Sequence, residues 1–188
     1  MQLIGSFLSP FVRRVAISMN VMGIPYKQKA LLAFANADEI QAHNPLIRVP
    51  TLVLDDGDVL VESYAILDYL DELAGDAKQL TPASGLERRR VMKDTAVAVG
   101  SMDRVQWAFY EHRHRPEEKV HETWAEHNDI RAIGGLQYLN DLASAVGATG
   151  WLSNTDRMSQ ADISAVVAYS FAKAVRPNLD LEDTVPTL

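Results

Sequence analysis

Two short apolar runs, Thr51-Leu52-Val53-Leu54 and Val59-Leu60-Val61, flank the segment Asp55-Asp56-Gly57-Asp58. Runs of this length around an Asp-Gly turn make a β-hairpin. Pro50 stands just before the first run, where a residue without an N–H costs the strand ladder nothing. Glu62-Ser63 closes the hairpin, and the Ser63 hydroxyl suits the cap of a helix from Tyr64 to about Ala74. Ile66, Leu67, Leu70, Leu73 and Ala74 fall on one stripe at three-four spacing, and Gly75 ends the pattern. A hairpin leading directly into an amphipathic helix commits this half of the chain to an α/β arrangement.

The residues before the hairpin supply the rest of that arrangement. Met1 to Gly5 reads as a short buried strand. Ser9 is an N-cap and Pro10 a first helical residue, so a helix runs from Pro10 to about Met22. Gly23 is its C-terminal stop and Pro25 follows. Tyr26 to Leu32 reads as a second strand, and Asn36 to His43 as a weak helical turn that Asn44-Pro45 breaks. The order strand, helix, strand, weak helix, hairpin, helix predicts a compact α/β domain over residues 1–75.

Residues 76–85, with Pro82 and Gly85, predict a linker. Residues 86–188 then read as helical throughout. Leu86 to about His114 is one long helix with Val91, Ala98, Val99, Met102 and Val105 inward. Pro116 breaks it, and a second long segment runs from about Glu117 to Ala145, bent near Gly134-Gly135. Gly147 to Asn154 is a loop carrying Trp151. A further helix starts at Ser159-Gln160-Ala161-Asp162, which resembles a capping box with Asp for the usual Glu or Gln, and Met158 and Ile163 sit at the staple positions.

Composition narrows the function. The 188 residues contain no cysteine, so any thiol chemistry must use a thiol carried by a substrate. The net charge of −7 is dispersed, which argues against nucleic acid as a partner. The one dense basic run, Arg88-Arg89-Arg90, reads as a solvated helix face. No run of about 18 apolar residues predicts a membrane span, and no secretory signal is visible, so a cytoplasmic location is expected. His112, His114, His121 and His127 lie among glutamates without metal-ligand spacing, so no metal site is expected.

Three separated features together resemble the cytosolic glutathione transferases: Ser9-Pro10-Phe11 at the first helix start, Val49-Pro50 before the hairpin, and Glu62-Ser63 after it. The Ser159-to-Asp162 cap resembles a folding motif of the same family. The resemblance implies a thioredoxin-like N-terminal domain followed by an all-α domain, with glutathione as co-substrate. It implies a cis Val49–Pro50 bond and a Val49 backbone that pairs with the cysteinyl part of glutathione. Glu62 would meet the γ-glutamyl ammonium and Ser63 the carboxylate. Arg48 would approach the glycine carboxylate or a nearby part of the peptide, and Phe11 belongs to the same binding set. The resemblance also implies a homodimer, in which Asp103 could reach the partner's glutathione. A carboxylate, a hydroxyl at a helix N-terminus and an exposed strand edge suit this anionic peptide.

With no cysteine and no tyrosine before Tyr26, the resemblance implies a serine-type, bacterial-like member, with Ser9 as the donor to sulfur and Ser6 as the competing hydroxyl. A free thiol titrates near about pH 8.5, so only a few per cent is thiolate at neutrality. A hydrogen bond to the charged sulfur contributes about 1.5–3 kcal/mol and a helix N-terminus about 0.3–1 kcal/mol. At about 1.4 kcal/mol per tenfold, these together make thiolate the dominant form. Met102, Gln106, Trp107 and Tyr110, with Phe11, are expected to line a second-substrate site between the domains that suits hydrophobic electrophiles and a detoxifying transferase. The alternatives are a glutathione-dependent isomerase, or a non-catalytic binding or regulatory protein of the same fold. The chain ends at Leu188, soon after Pro177-Asn178-Leu179, which predicts a reduced C-terminal edge to the electrophile site.

Overall fold

The computed structural model describes all residues, Met1–Leu188. They divide into two compact units, Met1–Ala83 and Ser84–Leu188.

The first unit is a four-stranded mixed sheet with helices on it. The strands are β1 (Gln2–Ile4), β2 (Lys27–Lys29), β3 (Thr51–Val53) and β4 (Val59–Val61), in the spatial order β2-β1-β3-β4. β1 runs parallel to β2 and antiparallel to β3, and β3 pairs antiparallel with β4. The hairpin forms where the Asp-Gly pattern places it. Leu54 N–H donates to Asp58 O at 2.8 Å, Asp58 N–H donates across Gly57 to Asp56 Oδ1 at 3.0 Å, and Gly57 takes φ 93°. A residue with a side chain is strained at that angle, which is why the turn needs glycine.

Helix α1 spans Pro10–Met22, and Gly23 ends it in the left-handed conformation, its N–H and that of Ile24 returning to Asn20 and Met19 carbonyls. Helix α3 (Ser63–Ala74) packs against α1. Between them in sequence lies the short α2 (Ala37–Gln41). Strand alternation sends Leu3 and Leu52, which are in register and fully buried, to one face of the sheet. Ile4 goes to the other face, where it clusters with Leu31 and Ile40 of the α2 side, joined by Ile47, Val49 and Val53.

Four expectations for this unit need correction. β2 covers three residues, not Tyr26 to Leu32. Its Lys-Gln-Lys sequence is largely exposed, and past Lys29 the chain turns so that Leu31 N–H donates to Lys29 O at 2.9 Å and the Leu31 side chain enters the core. Leu73 is exposed rather than part of the buried stripe of α3. The cap of α3 is Glu62, with no side-chain cap hydrogen bond, and Ser63 is already the first helical residue. Residues 76–83, expected as linker, lie within the first unit. Leu80 and Thr81 are buried, and Leu80 N–H donates to Asp71 Oδ1 at 2.6 Å.

The second unit is all helical: α4 (Gly85–His114), α5 (Glu122–Val146), α6 (Gln160–Val175) and the short α7 (Leu181–Thr184). α4 packs on both α5 and α6. Val91, Ala98, Val99, Met102 and Val105 are buried as their spacing predicts. Glu117–Lys119 forms a separate 3₁₀ turn, so α5 starts at Glu122 and then runs unbroken through Gly134-Gly135. Gly135 is needed for proximity: a Cβ there would lie 2.1 Å from Ser101 Oγ on α4. The capping box at α6 forms as read. Ser159 N–H donates to Asp162 Oδ2 at 2.8 Å, Ala161 N–H donates to Ser159 Oγ, and Asp162 Oδ1 also takes the Leu152 N–H of the preceding loop. Losing such a cap costs about 1 kcal/mol.

Buried acids tie these helices together. Asp94 on α4 accepts from Tyr138 on α5 at 2.7 Å and from Ser153 at 2.8 Å. Asp129 on α5 receives both Nε and Nη2 of Arg176, past the end of α6. Glu111 near the end of α4 accepts from the His121 backbone N–H at 3.1 Å and from Arg115 Nε at 2.7 Å. Burial pushes its carboxyl up, but these donors outweigh burial and hold it below the ordinary 4.5. A depressed carboxyl contributes stability above the unfolded value and loses it as pH falls through the folded one. The Tm advantage of the wild-type chain over Glu111→Gln is therefore expected to be full above about pH 4.5 and to shrink below it. Thermal unfolding followed by circular dichroism across that range checks this.

Candidate functional site

The sheet register sets the site. Thr51, the first residue of β3, is opposite both Ile4, the last residue of β1, and Val61, the last of β4. The segment after β1, the segment before β3 and the segment after β4 therefore leave the sheet at one edge. These segments carry Ser6 and Ser9, Arg48-Val49-Pro50, and Glu62-Ser63 respectively.

Gly5 lets the first two come close. Its φ is 137°, and a Cβ there would stand 2.5 Å from Val12 Cγ2 and 3.0 Å from Val49 Cβ. The chain then turns, with Ser9 N–H donating to Ser6 O at 3.0 Å. Ser9 caps α1: its Oγ accepts the Val12 N–H at 3.4 Å. That contact uses a lone pair of the hydroxyl and leaves its proton unspent. Ser6 Oγ accepts from Leu8 N–H at 3.3 Å and does not cap the helix. Phe11 is buried in the first turn of α1.

The middle segment is held from below by Asn44, whose place before Pro45 signals only a helix break in the sequence. Asn44 is fully buried. Its Nδ2 donates to Arg48 O at 2.9 Å and to Thr51 Oγ1 at 3.1 Å, while its Oδ1 accepts from Leu46 N–H at 2.9 Å. Ile47, inside this loop, has φ 52°, a conformation a β-branched residue rarely adopts. The Val49–Pro50 peptide is cis. Val49 is half-buried and Pro50 buried.

At the third segment, Glu62 has φ 66° and ψ 133°. A non-glycine residue held there costs on the order of 1–3 kcal/mol, and such strain collects at functional sites. Its carboxylate reaches back to the middle segment, with Arg48 Nη1 at 2.9 Å from Glu62 Oε1. Ser63 is buried, and its Oγ accepts from Arg14 Nη1 of α1 at 3.3 Å. Arg14 is fully buried, and burial lowers its guanidinium to about 10. Arg48–Glu62 thus joins the second segment to the third, and Arg14–Ser63 joins α1 to α3. Neither pair was legible in the sequence, because partners 14 and 49 residues apart carry no local signal.

The remaining expected site residues belong to α4 and form no cluster with open space around all of them. Met102 is fully buried in the helical core. Gln106 Nε2 donates to Tyr110 OH at 2.7 Å, and Tyr110 stands edge-on to His114 at 4.9 Å. Trp107 is 54% exposed. No group of three or more potential metal ligands is present, and no helix is long and apolar enough to cross a membrane. Asn44 is the clearest test of how the site edge is built. Asn44→Ala leaves the Leu46 N–H without its partner and the Arg48 carbonyl with only the Thr51 hydroxyl, at 3.1 Å, and is expected to cost about 1–3 kcal/mol in urea unfolding.

Comparison with known proteins agrees with this fold. Residues 3–78 match the model of the glutathione S-transferase N-terminal domain. The uncharacterized GST-like protein YibF of Escherichia coli K12 is 37% identical over 103 residues, 55% of this chain and 50% of that protein. The chain thus spans half the length of that curated relative. A probable maleylacetoacetate isomerase 2 of Drosophila melanogaster is 32% identical over 158 residues, 81% of this chain and 66% of that protein. The crystal structure of a glutathione transferase family member from Pseudomonas fluorescens Pf-5, with bound glutathione, superposes with a TM-score of 0.84 at 28% identity, covering 99% of this chain and 89% of that one. The α/β unit with its one-edged constellation, the helical unit beside it in sequence and these likenesses make the chain a member of the glutathione transferase family.

Proposed function

We propose that the chain binds glutathione at the common sheet edge and activates its thiol for attack on a hydrophobic, electrophilic small molecule. The observation that carries this is Ser9. It stands at the N-terminus of a 13-residue helix and caps it through an oxygen lone pair, so its proton stays available to a thiolate. Capping and sulfur activation are then one arrangement rather than rivals. The thiol proton leaves to solvent, the sulfur lone pair forms the S–C bond, and the electrophile's leaving group takes away its bonding pair. Ser9 donates a hydrogen bond and forms no covalent bond.

The other roles follow the chemistry of glutathione. The Val49 backbone takes the cysteinyl part, Ser63 the γ-glutamyl carboxylate and Glu62 the ammonium. Glu62 is paired with Arg48 in the structure, so the ammonium must compete for it. Both side chains of that pair are substantially exposed, and such pairs contribute only about 0–1 kcal/mol. Opening it is cheap, and the freed Arg48 can turn to the far end of the peptide. Phe11 and Pro50 support the pocket from within the core. We assign the electrophile to Gln106, Trp107 and Tyr110 of α4, with Met102 behind them. A homodimer in the cytoplasm is part of this reading.

The likeness to a probable maleylacetoacetate isomerase supports a second reading, in which the same thiolate adds to a substrate double bond and leaves again. Turnover of a generic aryl halide supports conjugation, whereas retention on glutathione resin without turnover supports a binding protein of the same fold. Ser9→Ala is expected to lower kcat/KM for conjugation by roughly 10–100-fold, the value of one charge-assisted hydrogen bond. Unchanged turnover moves the donor to Ser6 or the backbone. Failure to bind millimolar glutathione refutes the proposal.

A further inference from the structure

The roles above leave out Arg14. Its side chain is fully buried, and its Nε has no hydrogen-bond partner. Its guanidinium carbon lies 4.9 Å from the centroid of the Tyr64 ring, and Nη1 donates to Ser63 Oγ. Burial and Tyr64 are the influences on its charge, and no carboxylate is among them. A buried cation without an anionic partner is costly to keep.

Ser63 shows where the missing anion belongs. Its Oγ accepts from Arg14, so its own proton points elsewhere. As the first residue of the 12-residue α3, it also has a backbone N–H without an intrahelical acceptor. Ser63 therefore offers two donors at the positive end of a helix, with a buried cation behind them. An ammonium or a neutral amide would gain little there, whereas a carboxylate matches every element.

We propose that Arg14 is a positioning residue that orients the Ser63 hydroxyl as a donor and makes this subsite selective for a carboxylate. The proposal rests on the glutathione reading above, in which the γ-glutamyl carboxylate occupies the subsite. Arg14 does not touch the ligand; it acts through Ser63. Selectivity for the acid over its amide is the property a merely structural arginine does not confer.

The test is calorimetric titration with glutathione and with an analogue whose γ-glutamyl α-carboxylate is a carboxamide. The wild-type chain is expected to prefer the acid by at least about tenfold. Arg14→Met is expected to lose that preference by weakening the acid while leaving the amide nearly unchanged, with its fold checked by circular dichroism. Equal weakening of both ligands, or a preserved preference, overturns the proposal. Should Arg14→Met fail to fold, the Arg14 Nε–H resonance of the wild-type chain decides. It is expected to shift on binding the acid and not the amide, and an unmoved resonance overturns the proposal. Absence of glutathione binding by the wild-type chain overturns the functional reading too, whereas binding without acid–amide preference overturns this inference alone.

Discussion

The pairing of Thr51 with Ile4 on one side and Val61 on the other is the constraint on which the rest depends. It levels the ends of three strands, so three segments far apart in sequence emerge together. Each emerges with a feature already fixed by local chemistry: a capped helix N-terminus at Ser9, a proline-bounded strand entry at Val49-Pro50, and a second helix start at Ser63. The core that maintains this register is apolar and continuous across β1 and β3, with Leu3, Ile4 and Leu52 fully buried. Hydrophobic burial thus supports the polar edge, since register is strongly specified wherever a sheet face is buried.

Two polar contacts then lock the edge. One is exposed and weak, between Arg48 and Glu62. The other is buried, between Arg14 and Ser63. Their different burial suits different tasks. The exposed pair contributes little and can open at small cost, while the buried one ties Ser63 to α1. The strained residues adjoin the exposed pair: Ile47 precedes Arg48, and Glu62 belongs to it. The surrounding hydrogen bonds, above all those of Asn44, hold the loop in which Ile47 sits.

Features written in adjacent residues were legible from the sequence. Ser9-Pro10 and Gly23 bound α1, the Asp-Gly turn makes the hairpin, and Ser159 with Asp162 caps α6, because each signal acts within a few residues. Features decided by tertiary context were not. Ser63 looked like a cap because hydroxyls favour that position, but the positive φ of Glu62 shifts the helix start by one residue. β2 is shorter than the Tyr26-to-Leu32 pattern predicts because Leu31 leaves the ladder to fill the core beside Ile4 and Ile40. Asn44 carried a turn signal that hid its second role as an anchor. Arg14 was visible only as one of two adjacent arginines, and nothing local distinguishes a buried guanidinium from a solvated one.

The central claim is that this edge holds glutathione with its sulfur over the start of α1. A crystal structure with glutathione bound tests it most directly. The account predicts the sulfur within hydrogen-bonding distance of Ser9 Oγ, the cysteinyl backbone paired with Val49, and the γ-glutamyl carboxylate on Ser63. A sulfur whose nearest donor is Ser6 or lies away from the α1 N-terminus, or a peptide bound elsewhere on the chain, would contradict it.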